Sequence, residues 1–116
     1  TSARAIGTAL VATGFAYDAR ERVAQAETAA RVIGSVRDLR RAGSAAIDLY
    51  DVAAGRLDGY WERGLQPWDF AAGALVAEEA GAVVRRDDVR DGRRLVVAVA
   101  PGIADELRAL LAAAGA

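Results

Sequence analysis

The chain has 116 residues, of which 53% are hydrophobic, and its formal net charge is −1 at pH 7. This length predicts a single domain over residues 1–116. The near-neutral charge gives no electrostatic reason to expect nucleic acid or a membrane surface as a partner. No apolar run approaches about 18 residues, so no membrane-spanning helix is predicted, and the start of the chain shows no signal-peptide pattern.

Several residue types are absent, and their absence excludes whole classes of chemistry. The chain contains no His, no Cys and no Met, and all of its basic residues are Arg. Ser-His-Asp catalysis and imidazole or thiolate zinc sites are therefore excluded, and without Lys so are a Schiff base and a Walker A loop. The remaining carboxylates and carbonyls suit hard ions such as Mg²⁺. The lack of Cys agrees with a reducing cytoplasm, where we predict the protein to be located.

The first part of the chain predicts a strand followed by a helix. Residues 8–15 form a short apolar run typical of a buried strand. Asp18 is suited to cap a helix over 18–34, with Glu21 completing a capping-box-like pair. Apolar residues that we expect on one side of that helix are Val23, Ala26, Ala30 and Ile33.

A short strand is predicted over 36–40, and the pair Arg40-Arg41 follows at its end. The simpler interpretation is that these are two solvated charges. The alternative is that they attract a phosphorylated ligand to this edge.

A second helix is predicted from Gly43-Ser44-Ala45 to residue 54. Ser44 is a good N-cap, which by itself explains its presence. Free backbone N–H groups at the same helix start also suit an oxyanion or a sugar hydroxyl.

Residues 57–62 predict the next strand. By the two-residue period, Tyr60 and Glu62 share one face and Trp61 lies on the other. Glu62 is either an ordinary exposed carboxylate or, at a strand end that faces a helix start, a ligand contact.

The helix predicted over 67–80 begins with Pro67, whose missing N–H costs nothing in a first turn. Asp69 falls in that turn, where the helix dipole favours a negative charge. Asp69 is therefore a plain cap or a metal ligand at the rim of a site. Residues 71–74 are so small that we expect another backbone or a ligand to approach them closely.

The last part of the chain predicts a strand over 82–86, a loop through 87–92 with a tight turn at Asp91-Gly92, a buried strand over 95–99 and a helix over 103–114. The expected inward residues of that helix are Leu107, Leu110 and Leu111. The resulting order, β α β α β α β β α, predicts a layered α/β fold with a mostly parallel sheet flanked by helices.

Four segments occur in one order at one spacing, and together they carry a resemblance. They are residues 43–49, 52–62, 68–73 and 79–81, and the pairing of Gly43-Ser44-Ala45 with Trp68-Asp69 is the most specific part. Over roughly residues 8–110 the chain resembles the C-terminal half of the inositol monophosphatase family, which are magnesium-dependent sugar phosphatases of two-part α/β fold.

The resemblance implies roles for particular residues. Asp69 matches a metal-ligating carboxylate that also touches the substrate. Gly43, Ser44 and Ala45 match a helix start that contacts the sugar ring, and Glu62 matches an acceptor of hydrogen bonds from ring hydroxyls. The implied reaction is attack of water on a phosphate monoester with Mg²⁺ as cofactor.

The resemblance also implies what this chain does not supply. An Asp-Pro-Ile/Leu-Asp-Gly-Thr segment and an upstream Glu provide the other ligands in the family, and neither occurs here. We therefore expect no catalytic residue in this half and no activity from this chain alone. The missing N-terminal half is then a partner, and a homodimer is implied for the full-length form. The alternative is a non-catalytic assembly or partner-binding module of the same fold.

Overall fold

A computed structural model describes residues 3–116 and contains five strands, four α-helices and two short 3-10 helices in that range. The strands are β1 (Leu10–Thr13), β2 (Asp38–Arg40), β3 (Gly59–Arg63), β4 (Val83–Arg90) and β5 (Arg93–Val99). The α-helices are α1 (Ala19–Ile33), α2 (Ala45–Ala53), α3 (Pro67–Glu79) and α4 (Ala104–Ala114). Their order along the chain is the predicted one. None of the helices in residues 3–116 combines the length and the apolar character that crossing a membrane requires.

The strands form one mixed sheet in the order β2-β1-β3-β5-β4. β1 runs parallel to β2 and β3, whereas β5 runs antiparallel to both β3 and β4. Four strands thus point the same way and β5 alone opposes them. The predicted layered α/β fold with a mostly parallel sheet is confirmed, and the β4–β5 hairpin makes the sheet mixed.

The hairpin corrects one part of the sequence prediction. Residues 87–90 were predicted as loop, but β4 continues through them to Arg90 and pairs with β5 across a register irregularity. The predicted tight turn at Asp91-Gly92 is correct, since both residues have positive φ, 53° and 74°. A tight turn fixes which residues of the two flanking strands lie opposite each other. Because of this turn, the mostly polar residues 87–90 are held beside β5 and continue strand β4.

The helices cover the sheet on both faces, as βαβ crossovers require. One face packs with α1 and α4, and its buried core includes Val11, Val32, Trp61, Val97, Val99, Ile103, Leu107 and Leu111. The other face packs with α2 and α3, and its core includes Ala12, Leu49, Val52, Tyr60, Phe70, Ala74, Ala77 and Val96. Neighbouring residues of β3 and β5 alternate between the two cores because strand side chains alternate with a period of two.

Helix α1 is rotated relative to the prediction. Asp18 caps it as expected, with Oδ1 accepting from the N–H groups of Arg20 and Glu21 at 2.8 and 3.3 Å. Its buried residues, however, are Thr28 and Val32. Val23 is 61% exposed and Ile33 is 50% exposed. The faces of an alanine-rich helix differ little in hydrophobicity. The spacing of its apolar residues therefore did not identify the side of α1 that packs against the sheet.

The small residues of α3 serve mainly to bring α2 close. A Cβ at Gly73 would lie 2.8 Å from Leu49 Cβ, so only glycine permits this approach. Gly73 and Ala74 are therefore used within this chain, whereas Ala71 and Ala72 remain exposed. Larger apolar side chains on the same two helices are also exposed, namely Ile47, Tyr50, Trp68, Leu75 and Val76.

Candidate functional site

The candidate site lies where the sheet order reverses. From β1 the chain crosses to β2 on one side, and β3 then lies on the other side of β1. In open α/β sheets ligands bind outside the carboxyl ends of the strands at such a point. A cavity of about 400 Å³ opens there, which we call the switch-point cavity; its lining comprises Gly14, Phe15, Tyr17, Arg41, Gly43, Ser44, Ala45, Ala46, Glu62, Leu65, Trp68 and Asp69.

All five residues singled out from the sequence therefore meet in one place. Gly43, Ser44 and Ala45 come from the start of α2, Glu62 from the end of β3, and Asp69 from the first turn of α3. They lie up to 26 positions apart in the chain, and the topology brings them to one edge of the sheet. Their individual roles stay predictions.

Glu62 is the half-buried carboxylate of the switch-point cavity. It shares a face of β3 with Tyr60, as predicted, and the Tyr60 hydroxyl donates a 2.7 Å hydrogen bond to Glu62 Oε1. Burial raises the pKa of Glu62, and the hydrogen bond from Tyr60 and the charge of Arg41 oppose that rise. Burial, followed by the neighbouring Glu62, raises the pKa of Tyr60. Tyr60 thus remains a neutral donor that orients a carboxylate with hydrogen-bond capacity to spare.

The start of α2 presents backbone groups to the same cavity. Ser44 is the N-cap, and its Oγ accepts from the N–H of Ile47 at 3.3 Å. Gly43, just before it, has φ of 81°, a conformation that glycine adopts without strain. Ala45 and Ala46, the next two residues, line the cavity, and their N–H groups belong to the first turn of α2, where a helix supplies no acceptor of its own.

Asp69 occupies the third position of α3 and is exposed. Its Oδ2 accepts from the N–H of Gln66 at 2.9 Å, which fixes the side chain over the helix start. A carboxylate has further lone pairs, so the same group fits a hard cation as one ligand. Within residues 3–116 no group of three or more acidic side chains is arranged to hold a metal ion. The described residues fit one corner of a metal site rather than all of it.

The two arginines at the end of β2 differ in their surroundings. Arg40 forms an exposed 2.7 Å ion pair with Asp38, which matches the simpler interpretation. Arg41 instead lies over the Phe15 ring, with 6.0 Å between its guanidinium carbon and the ring centroid, and it lines the switch-point cavity. Arg41 is the one basic residue among those that line this cavity, and its charge opposes the rise that burial causes in the pKa of Glu62.

Sequence reasoning missed Asp48, one turn after Ser44 on α2. Asp48 is 2% exposed, and its Oδ2 has no hydrogen-bond partner within residues 3–116. Burial, followed by the charge of Glu62, raises the pKa of Asp48 to about 6. The signal was available: Asp48 lies on the helix face that carries Leu49 and Val52, so periodicity places a carboxyl among packed residues.

Comparison with known proteins gives one consistent result. A model of the inositol monophosphatase family matches residues 1–114. The chain is 60% identical over 105 residues to the inositol-1-monophosphatase SuhB of Mycobacterium tuberculosis, covering 89% of this chain and 36% of that protein. It is 47% identical over 88 residues to the Nus factor SuhB of Escherichia coli, covering 72% of this chain and 32% of that protein.

Solved structures agree with the sequence matches. Mycobacterium tuberculosis SuhB superposes with a TM-score of 0.90 at 54% identity, covering 98% of this chain and 45% of that chain. The inositol monophosphatase from Anabaena superposes with a TM-score of 0.84 at 37% identity, covering 96% of this chain and 46% of that one. The chain therefore spans less than half the length of these relatives.

Proposed function

Because the chain belongs to the inositol monophosphatase family, we propose that it is the substrate-side half of a Mg²⁺-dependent phosphatase that hydrolyses inositol 1-phosphate or a related sugar phosphate monoester. The observation that carries this proposal is the switch-point cavity, where a helix start and the carboxylates Glu62 and Asp69 converge. A polyol needs hydrogen-bond acceptors and donors on its ring, and a phosphate needs a cation beside it. The cavity supplies the hydrogen-bonding groups for the ring directly. For the cation it supplies one ligand, the carboxylate of Asp69.

We assign each residue a role that its surroundings support. Glu62, oriented by the Tyr60 hydroxyl, accepts hydrogen bonds from ring hydroxyls. The N–H groups at the start of α2, around Ser44 and Ala45, donate to the ring or to an oxyanion. Asp69, held over the start of α3, is the residue of this half that would hold Mg²⁺. When bound, Mg²⁺ supplies activation of water and neutralisation of the leaving oxygen.

We propose that the remaining metal ligands come from an N-terminal half of the protein. Two observations support this: no acidic cluster able to hold a metal occurs in residues 3–116, and the chain spans 36% of its curated relative. A single carboxylate binds Mg²⁺ weakly because the ion keeps several waters and needs more anionic partners. We accordingly propose that residues 1–116 are inactive alone, and that the full-length protein is a cytoplasmic homodimer.

The outer surface of α2 and α3 is where we place that N-terminal half. These helices expose Ile47, Leu75 and Val76 at 52, 58 and 43%. The rim of the switch-point cavity adds Trp68, which is 82% exposed. Large apolar side chains exposed on two neighbouring helices favour an interaction surface here. A layer packed here lies beside Asp69, so it can deliver the missing ligands to the same cavity.

The test is a phosphate-release screen of the full-length protein against a panel of sugar phosphates with and without Mg²⁺. We expect metal-dependent release, fastest with inositol 1-phosphate or a close polyol analogue. Absence of release from every phosphate monoester in the panel would contradict the proposal.

A second candidate function is a non-catalytic assembly or partner-binding module. The observation that favours it is the match to relatives named Nus factor SuhB in Escherichia coli and Salmonella typhimurium. The upstream coding sequence separates the two candidates. An Asp-Pro-Ile/Leu-Asp-Gly-Thr segment there supports the enzyme, and its absence supports the module.

A further inference from the structure

Gly14 lies against the carboxylate of Glu62 more closely than any side chain would allow. A Cβ built on Gly14 would stand 2.0 Å from Glu62 Oε1, 2.5 Å from Cδ and 2.9 Å from Oε2. Carbon and oxygen atoms that are not bonded to each other approach no nearer than about 3 Å in a packed interior. The carboxylate of Glu62 therefore occupies the space that a side chain at position 14 would need.

The backbone does not explain the glycine at this position. Gly43 and Gly64, at neighbouring strand and helix ends, have φ of 81° and 99°, which favours glycine on conformational grounds. Gly14 is absent from the positive-φ residues of the described chain. Its φ is therefore negative, the sign that L-residues ordinarily adopt, so the value of glycine here lies in the room that it leaves for Glu62.

The other contacts of Glu62 confine the carboxylate to this space. In the parallel pair of β1 and β3, Thr13 lies opposite Trp61, and Thr13 Oγ1 donates a 2.8 Å hydrogen bond to the Trp61 carbonyl. Gly14 is the first residue after β1 and Glu62 is the next residue of β3, so the two stand side by side where the pairing of β1 with β3 ends. The Tyr60 hydroxyl holds Oε1 from the α2–α3 side.

We propose that Gly14 is a positioning residue that fixes the place of the Glu62 carboxylate and thereby sets which polyol phosphates the site accepts. This inference rests on the proposed function, in which Glu62 receives the ring hydroxyls. A side chain at position 14 displaces the carboxylate into the switch-point cavity and away from Tyr60. Hydrogen bonds to the ring are then lost or misaligned, while Asp69 on α3 keeps its hydrogen bond to Gln66.

The kinetic test compares Gly14→Ala with Gly34→Ala in the full-length protein. Gly34 is a matched control, because its φ is −72° and a Cβ there meets nothing within 4 Å. For Gly14→Ala we expect KM for the best polyol phosphate to rise about tenfold, the scale of one lost hydrogen bond. The Mg²⁺ concentration for half-maximal rate should stay within twofold of wild type, as should both parameters for Gly34→Ala. An unchanged KM in Gly14→Ala, or a large shift in the Mg²⁺ requirement, would overturn the proposal.

A double-mutant cycle tests the contact itself. Glu62→Asp withdraws the carboxylate by one methylene and so vacates the space beside position 14. If the two residues act through one contact, Gly14→Ala raises KM much less in the Glu62→Asp background than in wild type. Equal KM effects of Gly14→Ala in both backgrounds would show that position 14 acts independently of Glu62.

A stability cycle separates failure of this inference from failure of the proposed function. Urea unfolding of wild type, Gly14→Ala, Glu62→Ala and the double variant requires no substrate. We expect Gly14→Ala to be destabilising in the wild-type background and close to neutral once Glu62 is truncated. Additive effects would overturn the inference. If the stability cycle shows coupling but Glu62→Ala leaves KM unchanged for every substrate, the contact stands and the assigned role of Glu62 fails, which overturns the selectivity claim.

Discussion

The stability of this fold should depend on pH through one buried carboxyl, Asp48. Burial is the main cause that raises its pKa from the ordinary 3.8 to about 6, and the charge of Glu62 adds to the rise. At pH values between 3.8 and about 6, Asp48 is more often protonated in the native chain than in the unfolded chain. The contribution of Asp48 is therefore most favourable below pH 3.8 and is lost as pH rises through 6. At 1.36 kcal/mol for each pKa unit, the difference corresponds to about 3 kcal/mol as an upper value.

Asp48→Asn removes the charge while keeping the shape of the side chain. At each pH we take the unfolding free energy of the variant minus that of wild type. We expect this difference to be about 2 to 3 kcal/mol more positive at pH 8 than at pH 4, because only the wild type loses stability as Asp48 ionises. The cost of burying the Asn amide is the same at both pH values, so it cancels when the two differences are compared. Asp105→Asn is the matched control, because Asp105 also lies in the first turn of a helix but its side chain is 95% exposed. Urea unfolding of the full-length protein at both pH values provides the measurement, and a gap that does not change with pH would refute the reasoning.

Three further predictions concern binding, packing and the isolated chain. Glu62→Gln should raise KM and reduce the differences in kcat/KM among sugar phosphates. The Mg²⁺ concentration for half-maximal rate should stay unchanged, which a metal titration checks. Gly73→Ala should cost about 1 to 3 kcal/mol because its Cβ meets Leu49; urea unfolding beside Gly7→Ala, where nothing lies within 4 Å, is the comparison. The 116-residue chain alone should self-associate in sedimentation and release no phosphate in a malachite-green assay. A clean monomer that unfolds cooperatively would contradict the exposure argument.

The parts of the fold that were predictable are those with strong local signals. Asp18 and Ser44 carry capping side chains, Pro67 opens a helix, and Asp91-Gly92 forms a tight turn; each acts within a few residues and appears in the structure as expected. The two-residue period likewise placed Tyr60 and Glu62 on one face. The convergence of the site residues depended on the resemblance, because no local rule brings Asp69 to Glu62.

The parts that were not predictable depend on contacts between distant segments. The phase of α1 is set by packing against the sheet and α4, which its alanine-rich sequence does not encode clearly. The extension of β4 to Arg90 is set by pairing with β5. The significance of Gly14 follows from the Glu62 carboxylate beside it, and the raised pKa of Asp48 follows first from burial and then from the charge of Glu62. Glycine at a strand end has a common local explanation, and only the tertiary structure shows that this explanation does not suffice for Gly14. For Asp48 the helical period already indicated burial, and the structure adds that its Oδ2 has no hydrogen-bond partner within residues 3–116.

The most direct test of the account is phosphate release from inositol 1-phosphate by the full-length protein and its Asp69→Asn variant at saturating Mg²⁺. Asp69 is the one residue of this chain that we place on the metal, and the substitution removes its charge while keeping its shape. We expect wild type to show Mg²⁺-dependent turnover and the variant to lose at least about a hundredfold in kcat, the order of a lost electrostatic contact in the transition state. A variant with kcat near that of wild type would remove Asp69 from the site and contradict the assignment of this chain as the substrate-side half of the phosphatase.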